Sequence, residues 1–272
     1  MGVIRSQETI ERRTGHTKCG MYLLGPSLAA ALLGELLHHP LEKSHVMNRS
    51  EWNLPALIDH TILRPEATRA DVLRLCREAK ENGFTVIFIP PCYANEAVEG
   101  VRGSQIRVGI PIGFPLGGHT TATKVSEALE GVRQGATVLD MVINISRLKS
   151  GDLDAVREDI AEVVQATPQA EHKVILETCY LTDQEKRTAC RLVVEAGADY
   201  VKTSTGFGAG GATVADVRLM KAVVEGKAKV KASGGIRDWK TALSMLEAGA
   251  DRIGTSASLK ILEDWAAEKR KG

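Results

Sequence analysis

From residue 54 onward, amphipathic stretches alternate with short apolar runs, and glycine recurs at the junctions. Four copies of the junction stand out: "AKENGFTVIFI" (79–89), "VRQGATVLDMVI" (132–143), "VEAGADYVKT" (194–203) and "LEAGADRIGT" (246–255). Glycine just past a helix end supplies the left-handed residue that caps it, and the β-branched run afterwards suits a buried strand. The runs "IRVGIPI" (106–112), "HKVILET" (172–178) and "AKVKAS" (228–233) fit between these copies. With "LPALIDHT" (54–61) in front, the pattern predicts eight strands. Between them, Val72, Leu73, Cys76 and Ala79 fall at helical spacing across 71–80, as do Leu153, Val156, Ile160 and Val163 across 152–164. Eight alternating units predict an α/β fold, a single-domain (β/α)8 TIM barrel over 47–272. An open doubly wound sheet is the rival, but no G-x-G-x-x-G follows its first strand.

Residues 1–46 lie outside this pattern and read as an N-terminal extension, loosely ordered or partly helical. Their apolar run, 21–37, is preceded by Glu8 and Glu11, is interrupted by Glu35 and leads to no clear A-x-A site, which argues against a secretory signal. "MGVIRS" meets the myristoylation pattern in form only, and Met47 is an alternative start. The chain has 272 residues and a formal net charge of +1, so there is no electrostatic case for nucleic acid or an anionic membrane as partner. Five cysteines without a C-x-x-C pair read as reduced thiols in a cytoplasmic protein.

In a (β/α)8 barrel, chemistry sits at the C-terminal strand ends. The polar residues there are Asp59, His60 and Thr61 on the first strand, Asp140 on the fourth, Glu177 on the fifth, Lys202 on the sixth and Lys231 on the seventh. For Glu177 the plain alternative is capping the next helix or pairing with an arginine. His60, His119 and His172 lack the spacing of a metal site, so no metal is expected. Asp140 stands inside an apolar strand, where an unpaired carboxylate costs several kcal/mol, and the two lysines are suitable partners.

An amine attacks a carbonyl only when neutral, and burial beside a second ammonium lowers a lysine pKa toward that state. One lysine is then a nucleophile and the other its electrostatic neighbour, and the pattern does not say which. The plain alternative is that both merely neutralise Asp140 and a bound phosphate. Glycine loops follow strands six, seven and eight: "TGFGAGG" (205–211), "SGGIR" (233–237) and "GTSAS" (254–258). Such loops expose backbone N–H groups to phosphate, and Ser233, Arg237 and Ser256 add donors. These features together describe a phosphosugar-binding barrel with a Schiff-base lysine.

The segments "LIDHTILRPEAT", "IGFPLGGHTTATKVSEA", "LDMVIN", "KVILETCYLT", "YVKTSTGFGAGGAT" and "VKASGGIR" resemble the deoxyribose-phosphate aldolases over residues 54–262. The resemblance implies reversible cleavage of 2-deoxy-D-ribose 5-phosphate to acetaldehyde and D-glyceraldehyde 3-phosphate, with no metal and no organic cofactor. It implies Lys202 as the nucleophile, Lys231 as the group that depresses its pKa, and Asp140 in a proton relay with bound water. Asp59 and Thr61 belong by the same matching to the substrate pocket, and Gly206, Gly234, Gly235, Arg237, Gly254 and Ser256 to the phosphate end. A homodimer is compatible with this reading.

Some positions depart from the family pattern. Phe88, Ile89, Pro90 and Pro91 stand where C-V-N-P is usual, which alters the expected wall near the aldehyde site. Thr137, Val138 and Leu139 precede Asp140 where relatives carry an acidic pair, and Arg64 replaces a frequent lysine. The chain ends "AAEKRKG" without a terminal tyrosine. A related Schiff-base lyase or transaldolase-like enzyme, or a non-catalytic phosphosugar-binding barrel, is the competing reading.

Overall fold

The structure, a computed structural model, describes residues 52–270. The extension expected over 1–46 and the boundary at 47 lie outside the described residues. Eight strands alternate with helices in chain order: β1 Ile58–Thr61, α1 Arg69–Asn82, β2 Val86–Phe88, α2 Ala94–Gly100, β3 Arg107–Ile112, α3 Thr121–Arg133, β4 Val138–Val142, α4 Ile145–Lys149, α5 Leu153–Ala166, β5 Glu171–Ile175, α6 Asp183–Glu195, β6 Tyr200–Lys202, α7 Val214–Val224, β7 Lys229–Ser233, α8 Trp239–Glu247, β8 Arg252–Thr255 and α9 Ser258–Lys269. Each strand pairs in parallel with the next, and β8 closes on β1. The fold is a (β/α)8 TIM barrel.

Local chemistry accounts for the boundaries. Thr68 and Asp71 form a reciprocal capping box at the start of α1, and Gly83 ends that helix at φ +74°. Thr182 and Glu185 form the same box on α6. The first predicted run differs from expectation: its front half, Leu54–Leu57, is a 3₁₀ turn, and the strand begins only at Ile58. Pro55 sits in the first turn of that segment, where its fixed φ and missing N–H favour a helical start over a strand. Among the described residues no helix is long and apolar enough to cross a membrane.

Inside the barrel one shape match stands out. Phe88 on β2 is level with Gly109 on β3, and a Cβ built at Gly109 would come within 2.6 Å of the Phe88 ring. The ring therefore uses the space that the missing side chain leaves. It packs with Val86 and Val138, all three fully buried or nearly so. Gly109→Ala is expected to lower stability by about 1–3 kcal/mol, the usual cost of overpacking. Urea unfolding reads this directly, and adding Phe88→Leu to the same chain should restore much of the loss.

Candidate active site

Parallel pairing at matched height sets the inward side chains side by side. Asp140 on β4 is level with Lys173 on β5, Lys202 on β6 with Lys231 on β7, and Lys231 with Arg252 on β8. The ammonium of Lys202 lies 2.6 Å from Asp140 Oδ2, and that of Lys231 lies 2.7 Å from the same oxygen. Lys231 also meets Asp59 Oδ2 at 2.6 Å, while Arg252 Nε donates to Asp59 Oδ1 at 2.6 Å. Lys173 approaches Asp140 Oδ1 at 3.9 Å and pairs with Glu171, which in turn accepts from Arg107. The Phe88 ring lies beneath, its centroid 3.9 Å from Lys231 Nζ. A cation over an aromatic face is attracted by the ring quadrupole.

The cluster is short of anions. Asp59 and Asp140 are the fully buried carboxylates among Lys173, Lys202, Lys231 and Arg252, and half-buried Glu171 at the edge is divided between Lys173 and Arg107. Lys231 has two carboxylate partners at hydrogen-bonding distance, and together they raise its pKa against the opposing effect of burial. Lys202 has only a share of Asp140. Burial, with the Lys231 charge adding to it, outweighs that share and brings Lys202 down to about 8. Asp140 remains ionised, because the three lysines around it overcome the burial that would raise its pKa.

A cavity of about 600 Å³ opens over Lys202. Thr61, Gly206, Ser233, Gly234, Gly235, Arg237, Gly254 and Ser256, each expected from sequence at the substrate, line it with Lys202. Asp59, Asp140 and Lys231 do not line it. Asp59, expected in the substrate pocket, is fully buried below it, where it holds Lys231 and Arg252. Phe88 and Pro90, expected to reshape the aldehyde wall, are likewise absent from the lining. Phe88 is instead the floor under the lysines, and Pro90 precedes the 3₁₀ turn Pro91–Tyr93. Val138, in place of an acid, is simply part of the apolar packing around Phe88.

One end of the cavity suits an anion. Gly234 and Gly235 have φ of +86° and +77°, a left-handed turn that glycine adopts freely, and with no side chains they leave backbone open to a ligand. The N-terminus of α9 follows Ser256 at the same wall, and its unpaired N–H groups and dipole favour negative charge. The loops after β6 and β7 pack backbone to backbone there. The Ala212 N–H donates to Gly234 O at 3.0 Å, and a Cβ on Gly211 would fall 2.3 Å from that oxygen.

Of the three histidines singled out in the sequence, His60 alone lines the cavity, beside Glu78, which it meets at 2.9 Å, and it stacks on Phe84. His172 bonds Thr167, and His119 is exposed. Among the described residues no group of three or more His, Cys, Asp or Glu could hold a metal ion. Glu177 neither caps the turn that follows it nor meets an arginine; its carboxylate faces Thr205.

Sequence reasoning missed Lys173 and Arg252. The signal for Lys173 was present: it stands inside "HKVIL", as isolated among apolar residues as Lys202 is. Arg252 is harder to foresee, because it begins β8 and its burial depends on Asp59 across the closed β1–β8 seam.

Comparison with known proteins supplies independent findings. The family model described as DeoC/LacD family aldolase matches residues 55–264. A deoxyribose-phosphate aldolase of Caldanaerobacter subterraneus subsp. tengcongensis is 53% identical over 219 residues, covering 79% of this chain and 95% of that protein. One from Thermococcus gammatolerans is 53% identical over 210 residues, covering 76% and 93%. Among solved structures, an aldolase designated QR15 is 42% identical with a TM-score of 0.77, covering 80% of this chain and 98% of its own. The deoxyribose phosphate aldolase of Aeropyrum pernix, described as a unique tetramer, is 35% identical with a TM-score of 0.73, covering 79% and 92%.

Proposed function

This chain belongs to the DeoC/LacD family of aldolases, and on that premise we propose that it cleaves 2-deoxy-D-ribose 5-phosphate through a Schiff base on Lys202. It is a class I aldolase, a carbon–carbon lyase. The observation that carries the residue assignment is the asymmetry between the lysines. Lys202 lines the cavity and has a pKa lowered to about 8, whereas Lys231 lies below the cavity with its pKa raised. At pH 7 an amine of pKa about 8 is about one-tenth neutral, against well under a thousandth for a free lysine.

The neutral Nζ attacks the C1 aldehyde of the open-chain sugar, and loss of water leaves an iminium. The iminium takes up the electron pair released as the C2–C3 bond breaks, while the C3 hydroxyl gives up its proton and D-glyceraldehyde 3-phosphate departs. The enamine left on Lys202 is then protonated at carbon and hydrolysed to acetaldehyde. Asp140, which touches both Lys202 and Lys231, is the relay for these protons with a bound water. The iminium is itself the electron sink, so the scheme uses neither metal nor organic cofactor. The Gly234–Gly235 turn, Arg237 and the α9 N-terminus receive the phosphate, supported by the backbone geometry above. Cys92 and Cys179 are exposed free thiols, which supports a reducing, cytoplasmic setting. Self-association, here a homodimer, draws support from the tetrameric relative and is read by light scattering.

Incubation with acetaldehyde and borohydride followed by peptide mapping tests the assignment. A stable two-carbon adduct on Lys202 is expected. An adduct on Lys231 would reverse the two roles, and none at all would leave only a phosphosugar-binding barrel. The rate of trapping should rise with pH through about 8, because only the neutral amine reacts, and should fall about tenfold per unit below pH 7. A rate flat from pH 6 to 9 would count against a titrating Lys202.

A further inference from the structure

Glu177 is a buried carboxylate that the scheme above leaves unused. It follows β5, is 2% exposed and has φ +53°, a left-handed conformation that a glutamate adopts only at a cost. Its two oxygens accept the Thr205 N–H, each at 3.3 Å, and Oε2 also accepts the Thr205 hydroxyl. That hydroxyl in turn accepts the Phe207 N–H at 3.0 Å. Gly208 closes over the carboxyl: a Cβ there would lie 2.9 Å from Glu177 Cδ. The turn 205–208 is thus wrapped around one carboxylate from the neighbouring strand.

We propose that Glu177 is a positioning residue that holds this turn, and through it the anion-binding end of the cavity, so that it governs affinity for the phosphorylated substrate rather than the covalent step. Two observations link the turn to that end. Gly206 lines the cavity beside Lys202, and a Cβ at Gly234 would stand 3.1 Å from Ser204 Cβ and Gly211 Cα and 3.7 Å, ordinary van der Waals contact, from Gly206 Cα. Moving 205–208 therefore moves the surface against which Gly234 and Gly235 are set. Glu177 does not line the cavity, so it acts through these contacts and not on the substrate. The left-handed turn brings its side chain to the loop after β6, and the strain is retained because both donors of Thr205, its N–H and its hydroxyl, depend on it.

The inference rests on the deoxyribose 5-phosphate reading, and the test separates the two. Glu177→Gly keeps a turn that glycine adopts freely and removes only the carboxylate. Its KM for deoxyribose 5-phosphate, and the concentration of inorganic phosphate needed to inhibit cleavage, should both rise about tenfold or more. Borohydride trapping of acetaldehyde on Lys202, which involves no phosphate, should change far less. Glu177→Gln retains an accepting oxygen and should recover most of the affinity. Thr205→Val, which removes the bridging hydroxyl, should shift KM in the same direction and serves if Glu177→Gly does not fold. Unchanged KM and unchanged phosphate inhibition in Glu177→Gly would overturn the proposal, as would a loss confined to kcat and trapping. If the unaltered protein gives no Lys202 adduct, the aldolase reading fails, while calorimetric titration of inorganic phosphate into the unaltered protein and Glu177→Gly, which needs no cleavage, still reports on Glu177: a Kd unchanged between the two overturns the proposal.

Discussion

Lys202→Met is expected to abolish the borohydride-trapped adduct and to lower cleavage of deoxyribose 5-phosphate by on the order of 10,000-fold or more, the scale seen when a covalent nucleophile is removed. The protein should nevertheless fold. Asp140 keeps Lys231 at 2.7 Å and Lys173 at 3.9 Å, so no bare carboxylate remains in the interior. Steady-state cleavage, trapping and a thermal melt on one preparation check all three expectations. Residual trapping on Lys231 in this variant would mean that the second amine is less firmly protonated than its two carboxylates imply.

Lys231→Met has the second largest effect, with a different signature. Removing this ammonium takes away the cation that disfavours a charged Lys202 and leaves Asp140 to pair with Lys202 more fully. Both changes raise the Lys202 pKa above 8. Each unit of rise lowers the neutral fraction at pH 7 about tenfold, so trapping at pH 7 should fall by about ten- to a hundredfold. The loss should shrink as pH rises, because the higher pKa is then reached. A profile lowered but not displaced along the pH axis would argue that Lys231 acts otherwise. Stability should fall too, by about 3–5 kcal/mol, since Asp59 and Asp140 each lose a buried partner. Urea unfolding separates that loss from the pH displacement.

Most of the fold was legible because its signals are local. A glycine after an amphipathic stretch and a β-branched run after that glycine are short-range facts, and "VEAGADYVKT" led to β6 as directly as "LEAGADRIGT" led to β8. The exception, "LPALIDHT", is a proline overriding an apolar run. The lateral placement of the site was legible too: Lys202, Gly206, Gly234 and Ser256 meet at one cavity. Depth was not. Asp59 and Thr61 are two residues apart on one strand and both face inward, yet only Thr61 reaches the cavity. Which of two inward residues lies under the other depends on strand stagger around a closed barrel, and no single segment encodes that. Lys173 is visible as an isolated lysine in "HKVIL", but its role was not, since that comes from being level with Asp140 on a different strand. Phe88 looked like an intrusion until Gly109 supplied the space for it.

The charged interior has a consequence for how this protein can change. Four cations and two carboxylates occupy the centre of a barrel that leucine and isoleucine would otherwise fill. Well-packed apolar replacements of buried ionic groups are often neutral or stabilising, so a barrel emptied of its charges together would tend toward a sturdier and inert molecule. Single replacements run the other way, because each leaves its former partners uncompensated. Stepwise drift toward stability is therefore blocked at its first step, and the reactive arrangement is guarded by the same burial that strains it.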